Sequence, residues 1–214
     1  MNNTHRKYFN KNNIEVPSVT TVLKLLAKPE LVQWANYMGF KRINTTELLE
    51  EKANYGTRVH DLFERYNMGI IEKSTQIDLN FNDVIYKELL EKCKYFKNLL
   101  CSLGYEIIQM ELPLEGDRFG GTLDLLIMNK QTGKLFILDL KTSKRLYNSM
   151  LIQLGGYTTL LKECYNLDVA GVGIILIQEN INSKKFINMI SFEDNIKNQE
   201  IFNKLLDIYY LNIQ

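Results

Sequence analysis

The chain has 214 residues, of which 45% are hydrophobic and 24% charged, and its formal net charge at pH 7 is +1. This size is enough to bury one core, so we expect a single domain over residues 1–214. The nearly neutral charge disfavours a protein that wraps duplex DNA with a strong basic excess, and no apolar run approaches the roughly 18 residues of a membrane span.

The predicted elements begin with a segment rich in Asn and Lys, residues 1–13, which we expect to be loose. Apolar periodicity then predicts two sets of elements around a central hairpin. Before the hairpin lie helices near 20–38, 47–67 and 82–103 and a strand near 106–112. After it lie a helix near 147–165, a strand at 169–178, a short strand near 186–190 and a helix at 193–210. This order predicts an α/β fold with a mixed β-sheet flanked by helices.

The hairpin consists of two apolar strands, 122–128 and 134–141, each of which contains an aspartate. A charge buried without a partner costs several kcal/mol, roughly, so chains rarely keep one in a core strand without a use. If Asn129 faces Lys134 across an antiparallel pair, Asp124 lies directly beside Asp139. Two carboxylates held that close repel each other unless a cation lies between them.

Lys141 lies two residues after Asp139 and therefore shares its face of the strand. Two acids and an ammonium suit phosphodiester hydrolysis with Mg²⁺ or Mn²⁺, because hard divalent ions prefer oxygen ligands and can activate a water. Lys141 would orient that water or offset charge on the phosphate. The alternative is a surface ion pair of Asp139 and Lys141 on an edge strand.

Two helices carry further candidate residues. Gln153 and Tyr157 share one face of the helix near 147–165, and the two glycines between them indicate a close neighbour, either backbone or nucleic acid. His60 and Glu64 border the apolar stripe of the helix near 47–67. His60 is either a core-edge histidine or a metal ligand.

Four motifs in this order resemble those of the PD-(D/E)XK nuclease superfamily, specifically its RecB-type branch. They are Gly56-Thr57-x-x-His60, Gly121-x-x-Asp124, Asp139-x-Lys141 and Gln153-x-x-x-Tyr157. The stretch Val16-Pro-Ser-Val-Thr-Thr-Val-Leu23, followed by Trp34, is similar to phage exonucleases of that branch and to the mitochondrial genome maintenance exonuclease. The resemblance covers residues from about 17 to about 177.

This resemblance implies a restriction-endonuclease-like core of αβββαβ order with extra N-terminal helices. It implies that Asp124, Asp139 and the Leu140 carbonyl bind the metal, that Lys141 is catalytic, and that His60 lies beside the metal. Gln153 and Tyr157 would brace the site or touch the substrate.

Other residues are weaker candidates. Glu111 lies where related enzymes often carry an acid on the preceding strand, although it would equally fit a solvated glutamate at a strand end. The proline that usually precedes the first aspartate of the motif is replaced by Leu123. Further candidates for binding substrate near the site are Glu64, Arg58, Lys144 and Arg145.

The three cysteines, Cys93, Cys101 and Cys164, are too few for the four thiolates of an iron–sulfur cluster, so none is expected. Their odd number, with no signal peptide, favours a reducing, cytoplasmic setting in a bacterial or phage-infected cell.

Three functions follow as hypotheses. The first is a metal-dependent deoxyribonuclease, in particular an exonuclease acting on single-stranded DNA or DNA ends, with replication or recombination proteins as partners and no membrane. The second is a structure- or sequence-specific endonuclease. The third is a catalytically silent DNA-binding module.

Overall fold

A computed structural model describes residues 6–143, 145–177 and 187–212. The chain divides into two compact units. The sheet unit comprises Met1–Leu25 with Leu100–Gln214, and the helical unit comprises Leu26–Leu99. The assignment of one nuclease domain over residues 1–214 stays a prediction.

The sheet unit begins with a small antiparallel hairpin of β1 (Tyr8–Phe9) and β2 (Glu15–Val16). Tyr8 is buried, so the expectation of a loose N-terminal segment does not hold for these residues. The short helix α1 (Val19–Val22) follows, and it starts at Ser18 because the side chain of Ser18 accepts a hydrogen bond from the Thr21 N–H. One 3₁₀ turn, Leu23–Leu25, completes this part.

A five-stranded mixed sheet forms the centre of the sheet unit, with its strands in sequence order. The strands are β3 (Tyr105–Glu115), β4 (Gly120–Asn129), β5 (Leu135–Lys141), β6 (Val169–Leu176) and β7 (Ile187–Ser191). β5 and β6 pair in parallel, whereas the other neighbours pair antiparallel. A parallel pair needs a crossover, and helix α6 (Asn148–Tyr165) provides it. The predicted α/β class with a mixed sheet is confirmed.

Helix α6 packs against the sheet and against the last helix, α7 (Phe192–Asn212). A Cβ at Gly155 would lie 2.5 Å from the backbone carbonyl carbon of Asn198, and one at Gly156 would lie 3.0 Å from the ring of Phe202. The close neighbour that these glycines require is therefore the protein itself. Of the two alternatives left open by the sequence, protein backbone accounts for Gly155.

The helical unit contains α2, α3 and α4, and α5 begins in it. These helices are α2 (Pro29–Phe40), α3 (Thr45–Asn67), α4 (Lys73–Asp78) and α5 (Asp83–Ser102). Its core includes Val59, Leu62 and Phe63 of α3, and the rings of Phe63 and Phe96 lie 6.0 Å apart.

The continuous helix predicted near 20–38 is wrong. The chain instead forms α1, the 3₁₀ turn and α2, which has Pro29 in its first turn. Proline has no N–H to donate and disfavours helical backbone in the preceding residue, and Lys28 accordingly has φ −124° and ψ 68°.

The other predicted elements are present within a few residues of their predicted ends, with β3 longer than predicted. The short strand predicted near 186–190 corresponds to β7, and Phe186 and Gln178 lie outside the described residues. Within the described part of the chain, no helix combines the length and the apolarity needed to cross a membrane.

Candidate metal centre

The β4–β5 hairpin has the register that the sequence predicted. The Asn129 N–H donates to the Lys134 carbonyl at 2.9 Å, and the ladder continues to the pair Leu125 and Leu138. Beyond that pair, a backbone N–H of β5 is bonded by a side chain of β4 and not by its backbone. The Leu140 N–H donates to Asp124 Oδ2 at 2.7 Å. The Asp124 carboxylate is thereby fixed against β5.

Asp139 is fully buried, and Asp124 is only 8% exposed. The Lys141 ammonium lies 2.6 Å from Asp139 Oδ2, and the lysine side chain is 21% exposed. Because β5 lies between β4 and β6, these residues are in the interior of the sheet. The alternative of a surface ion pair on an edge strand is therefore excluded.

Glu111 joins this group from β3. The pairs Met110 with Leu125 and Leu112 with Leu123 flank it, so Glu111 lies opposite Asp124. A carboxylate oxygen of Glu111 lies within 4.8 Å of one of Asp124. Glu111 lies inside β3 and not at a strand end, and it is partly exposed. Its role as a ligand stays a prediction.

A β-bulge sets the position of Glu111. The register between β3 and β4 shifts by one residue between Ile107 and Gln109. Without this extra residue the earlier register would place Met110, not Glu111, opposite Asp124, because a shift of one residue exchanges the two faces of a strand. The backbone of Glu111 also has φ 45°, a left-handed conformation that side chains other than glycine rarely adopt.

The electrostatics of the group are dominated by its acids. Three carboxylates and one ammonium carry a formal net charge of −2. Burial lowers the pKa of Lys141, but the carboxylates of Asp139, Asp124 and Glu111 together raise it more. The pKa of Lys141 is therefore above its ordinary value of 10.5, and the amine is a cation at neutral pH.

Gln153 and Tyr157 of α6 are both buried, and Gln153 Nε2 donates to the Tyr157 hydroxyl at 3.2 Å. Burial, followed by the charges of Asp124 and Asp139, raises the pKa of Tyr157 well above 10.0. A Cβ at Gly121 would lie 2.7 Å from the Tyr157 ring, which explains the glycine of the Gly121-x-x-Asp124 motif. These contacts favour the bracing role over contact with substrate, and both roles stay predictions.

Tyr8 is a neighbour of the group that sequence reasoning missed. Its hydroxyl forms a 2.9 Å hydrogen bond with Thr122 Oγ1, and a Cβ at Gly120 would lie 2.5 Å from the Tyr8 side chain. Thr122 shares a face of β4 with Asp124, because side chains alternate along a strand. The partners are 114 residues apart in sequence, and no local pattern signals their contact.

The remaining described candidates are three residues of the helical unit and one residue of the loop after β5. His60 and Glu64 are partly buried on α3 of the helical unit, and their roles stay predictions. Arg58, also on α3, places its guanidinium 5.6 Å from the centre of the Phe81 ring. Arg145 is exposed, and its carbonyl accepts a hydrogen bond from Ser143. A further candidate, Lys144, lies outside the described residues.

The donor atoms in the sheet unit fit a hard divalent cation. Carboxylate oxygens are the ligands that Mg²⁺ and Mn²⁺ prefer, and the charge of −2 matches one such ion. The N–H and C=O of one strand residue face the same neighbouring strand. The Leu140 carbonyl is therefore expected on the side of β4, and its role as a ligand stays a prediction. The three cysteines are free thiols, with Cys93 buried, Cys101 exposed and Cys164 between these extremes.

Comparison with known proteins gives no family for this chain. A scan against protein-family models found no match, and a search of curated proteins found none either. The resemblance to PD-(D/E)XK nucleases therefore stays a prediction.

Proposed function

We propose that this protein is a metal-dependent deoxyribonuclease that hydrolyses phosphodiester bonds with Mg²⁺ or Mn²⁺. The observation that carries the proposal is the group formed by Asp124, Asp139, Glu111 and Lys141. The three acids lie on three neighbouring strands: Asp139 pairs with the Lys141 ammonium, and Glu111 lies close to Asp124. Asp124 and Asp139 are almost completely removed from solvent. Such an arrangement is costly to maintain in a core without a cation to bind.

The residues that would hold the ion are Asp124, Asp139 and Glu111, together with the Leu140 carbonyl. When bound, a divalent ion lowers the pKa of a water and offsets charge on the phosphate. The protein fixes these ligands in advance. The hydrogen bond from the Leu140 N–H holds Asp124, and burial in the central strand holds Asp139.

Lys141 would act as a cation and hydrogen-bond donor. Before an ion binds, the nearby carboxylates hold the pKa of its amine above 10.5. Its ammonium can donate to a phosphate oxygen or orient the attacking water while it remains near Asp139. Its side chain is partly exposed, and we propose that the amine contacts the substrate from this position.

The order of elements supports the finer assignment of the fold. Helix α5, strands β3 to β5, helix α6 and strand β6 follow one another as αβββαβ, the order expected of a restriction-endonuclease-like core. Further support comes from α6, which presents the Gln153 and Tyr157 pair beside Gly121.

Among nucleases, we favour an exonuclease acting on single-stranded DNA or DNA ends. The resemblance of residues 16–23 points this way, and the net charge of +1 lacks the basic excess typical of duplex-wrapping proteins. Partners in replication or recombination and a cytoplasmic site of action belong to the same proposal. A structure-specific endonuclease and a silent DNA-binding module are the alternatives.

The test is a cleavage assay with end-labelled single- and double-stranded oligonucleotides, with either end blocked, in Mg²⁺ or Mn²⁺. We expect cleavage that needs a free end, and a loss of at least about 100-fold in Asp124→Asn and Lys141→Ala. Lys134→Ala is the matched control, since Lys134 is an exposed lysine of the same hairpin. Circular dichroism confirms that each variant is folded.

Each alternative predicts a different result. Opening of circular single-stranded DNA would identify an endonuclease, because an exonuclease leaves a circle intact. Binding of DNA with no turnover in either metal would identify a silent module. Full activity of Asp124→Asn would disprove the mechanism altogether.

A further inference from the structure

Helix α2 of the helical unit is apolar and yet lies open to solvent. Among its described side chains none is buried. Phe40 is 90% exposed, Tyr37 is 54% exposed, and Val32 is 61% exposed. Exposed apolar surface of this kind marks a binding site more often than isolated apolar residues do. A binding partner is therefore expected to cover α2 when the protein functions.

Three aromatic side chains follow one another along α2. Trp34, Tyr37 and Phe40 are spaced three residues apart, so consecutive rings are neighbours on the helix surface, with an axial rise of about 4.5 Å per step. Every nucleobase has a flat face that can stack on such a ring. We define Trp34, Tyr37 and Phe40 as the aromatic row.

Cations accompany the aromatic row. The Lys41 ammonium lies 4.6 Å from the centre of the Tyr37 ring, and the Lys52 ammonium, from α3, lies 5.4 Å from that of Trp34. Arg42 follows directly. Within residues 26–46 the sequence has three basic residues and one acid, Glu30. Acids occur nearby as well, because Glu47, Glu50 and Glu51 lie in the first turns of α3. The cations that contact the rings are Lys41 and Lys52.

We infer that the aromatic row binds single-stranded DNA, with bases stacked on the rings and phosphates near Lys41, Arg42 and Lys52. The charges decide between occupants. A second copy of the chain would bring its own Lys41, Arg42 and Lys52 against those of the first, whereas a nucleic-acid strand supplies both negative charge and flat apolar faces. The inference deepens the proposed function, because it names a binding surface for the same substrate.

The sequence supplies its own probe, because Trp34 is the only tryptophan of the chain. A dT oligonucleotide is titrated into the full-length protein in EDTA, which prevents cleavage, while tryptophan emission is recorded. We expect saturable quenching, and much weaker quenching by an abasic oligonucleotide of the same length. Absence of quenching by dT, or equal quenching by the abasic strand, would overturn the inference.

Variants separate stacking from general apolar contact. Tyr37→Ala and Phe40→Ala are expected to lower the affinity for dT by about tenfold or more, whereas Tyr37→Phe retains a ring and should retain binding. Val32→Ala is the matched control, because it removes exposed apolar surface from the same helix without removing a ring. If Val32→Ala weakens binding as much as Phe40→Ala does, stacking is not the mode of contact.

Two further outcomes are distinct. A concentration-dependent dimer that Phe40→Ala abolishes, with no response to dT, would show that the surface joins two copies of the chain and would overturn the inference. Quenching without any cleavage in Mg²⁺ or Mn²⁺ would support the binding surface and disprove only the nuclease proposal. Cleavage without quenching would support the nuclease proposal and overturn the inferred binding surface.

Discussion

Glu111 combines two features that are unfavourable for folding in the absence of an ion. Its backbone has φ 45° inside a strand, and its carboxylate lies close to that of Asp124. A left-handed conformation costs a residue with a Cβ about 1–2 kcal/mol, and nearby like charges add to this. Strain of this kind is found at functional sites, where the surrounding structure maintains it.

Two substitutions at this residue separate charge from backbone strain. Glu111→Gln removes the charge, and Glu111→Gly also removes the Cβ that disfavours this φ. We expect both variants to lose Mn²⁺ affinity in calorimetry. Without metal, Glu111→Gly should be about 1 kcal/mol more stable than Glu111→Gln in urea denaturation. Equal stability of the two variants would show that the backbone is unstrained.

Cys93 gives a pH dependence that is independent of the metal site. Burial raises the pKa of its thiol from 9.0 to about 12. The folded state therefore keeps the proton between pH 9 and 12 while the unfolded state loses it. The stability that the buried thiol contributes is complete below pH 9 and is lost as the pH rises toward 12, with a slope of up to about 1.4 kcal/mol per pH unit.

The measurement compares wild type with Cys93→Ala, because other groups titrate in both proteins and cancel in the difference. The free energy of unfolding of wild type should fall more steeply from pH 9 to 10.5 than that of the variant. Cys101→Ala is the control, since Cys101 is exposed, and it should keep the steep dependence. A parallel decline in all three proteins would contradict the assignment.

The elements that the sequence predicted well are those with a strong local signal. The two apolar strands and the turn after Asn129 indicate the β4–β5 register, and the pairing of Asn129 with Lys134 predicts Asp124 beside Asp139. The break before Pro29 also has a local signal, because proline disfavours helical backbone in the residue that precedes it. The bulge near Ile108 has no comparable pattern, and the position of Glu111 therefore required the structure.

The close packing of α6 on α7 can be tested by substituting a glycine of α6. Gly155→Ala would place a Cβ 2.5 Å from the Asn198 backbone, and backbone cannot move aside as a flexible side chain can. We expect a loss of about 1–3 kcal/mol in the free energy of unfolding, measured in urea, despite the better helix propensity of alanine.

The matched control is Gly39→Ala in α2, where a Cβ would have no atom within 4 Å. Here only helix propensity acts, so stability should rise by up to about 1 kcal/mol. A gain of stability at both glycines would mean that α6 and α7 are not as close as described.

Across the whole molecule, the metal proposal predicts linkage between ion binding and folding. An ion that binds the folded state at a concentration 100-fold above its dissociation constant stabilises it by about 2.7 kcal/mol. We expect Mn²⁺ to raise the melting temperature of wild type and to have no such effect on Asp139→Asn. Asp168→Asn, which changes an exposed aspartate, should respond like wild type. An equal response of all three would place the ion elsewhere.

The sheet unit is assembled from two stretches of chain that the entire helical unit separates. Tyr8 completes its contact with Thr122 across 114 residues, and the bridge from Ser18 to Gly120 spans a similar distance. A ribosome therefore releases the first strands long before their partners exist, and loop closure over this length slows the search for them. The amino-terminal hairpin is expected to dock only after synthesis has passed β4, which makes it a late event in maturation.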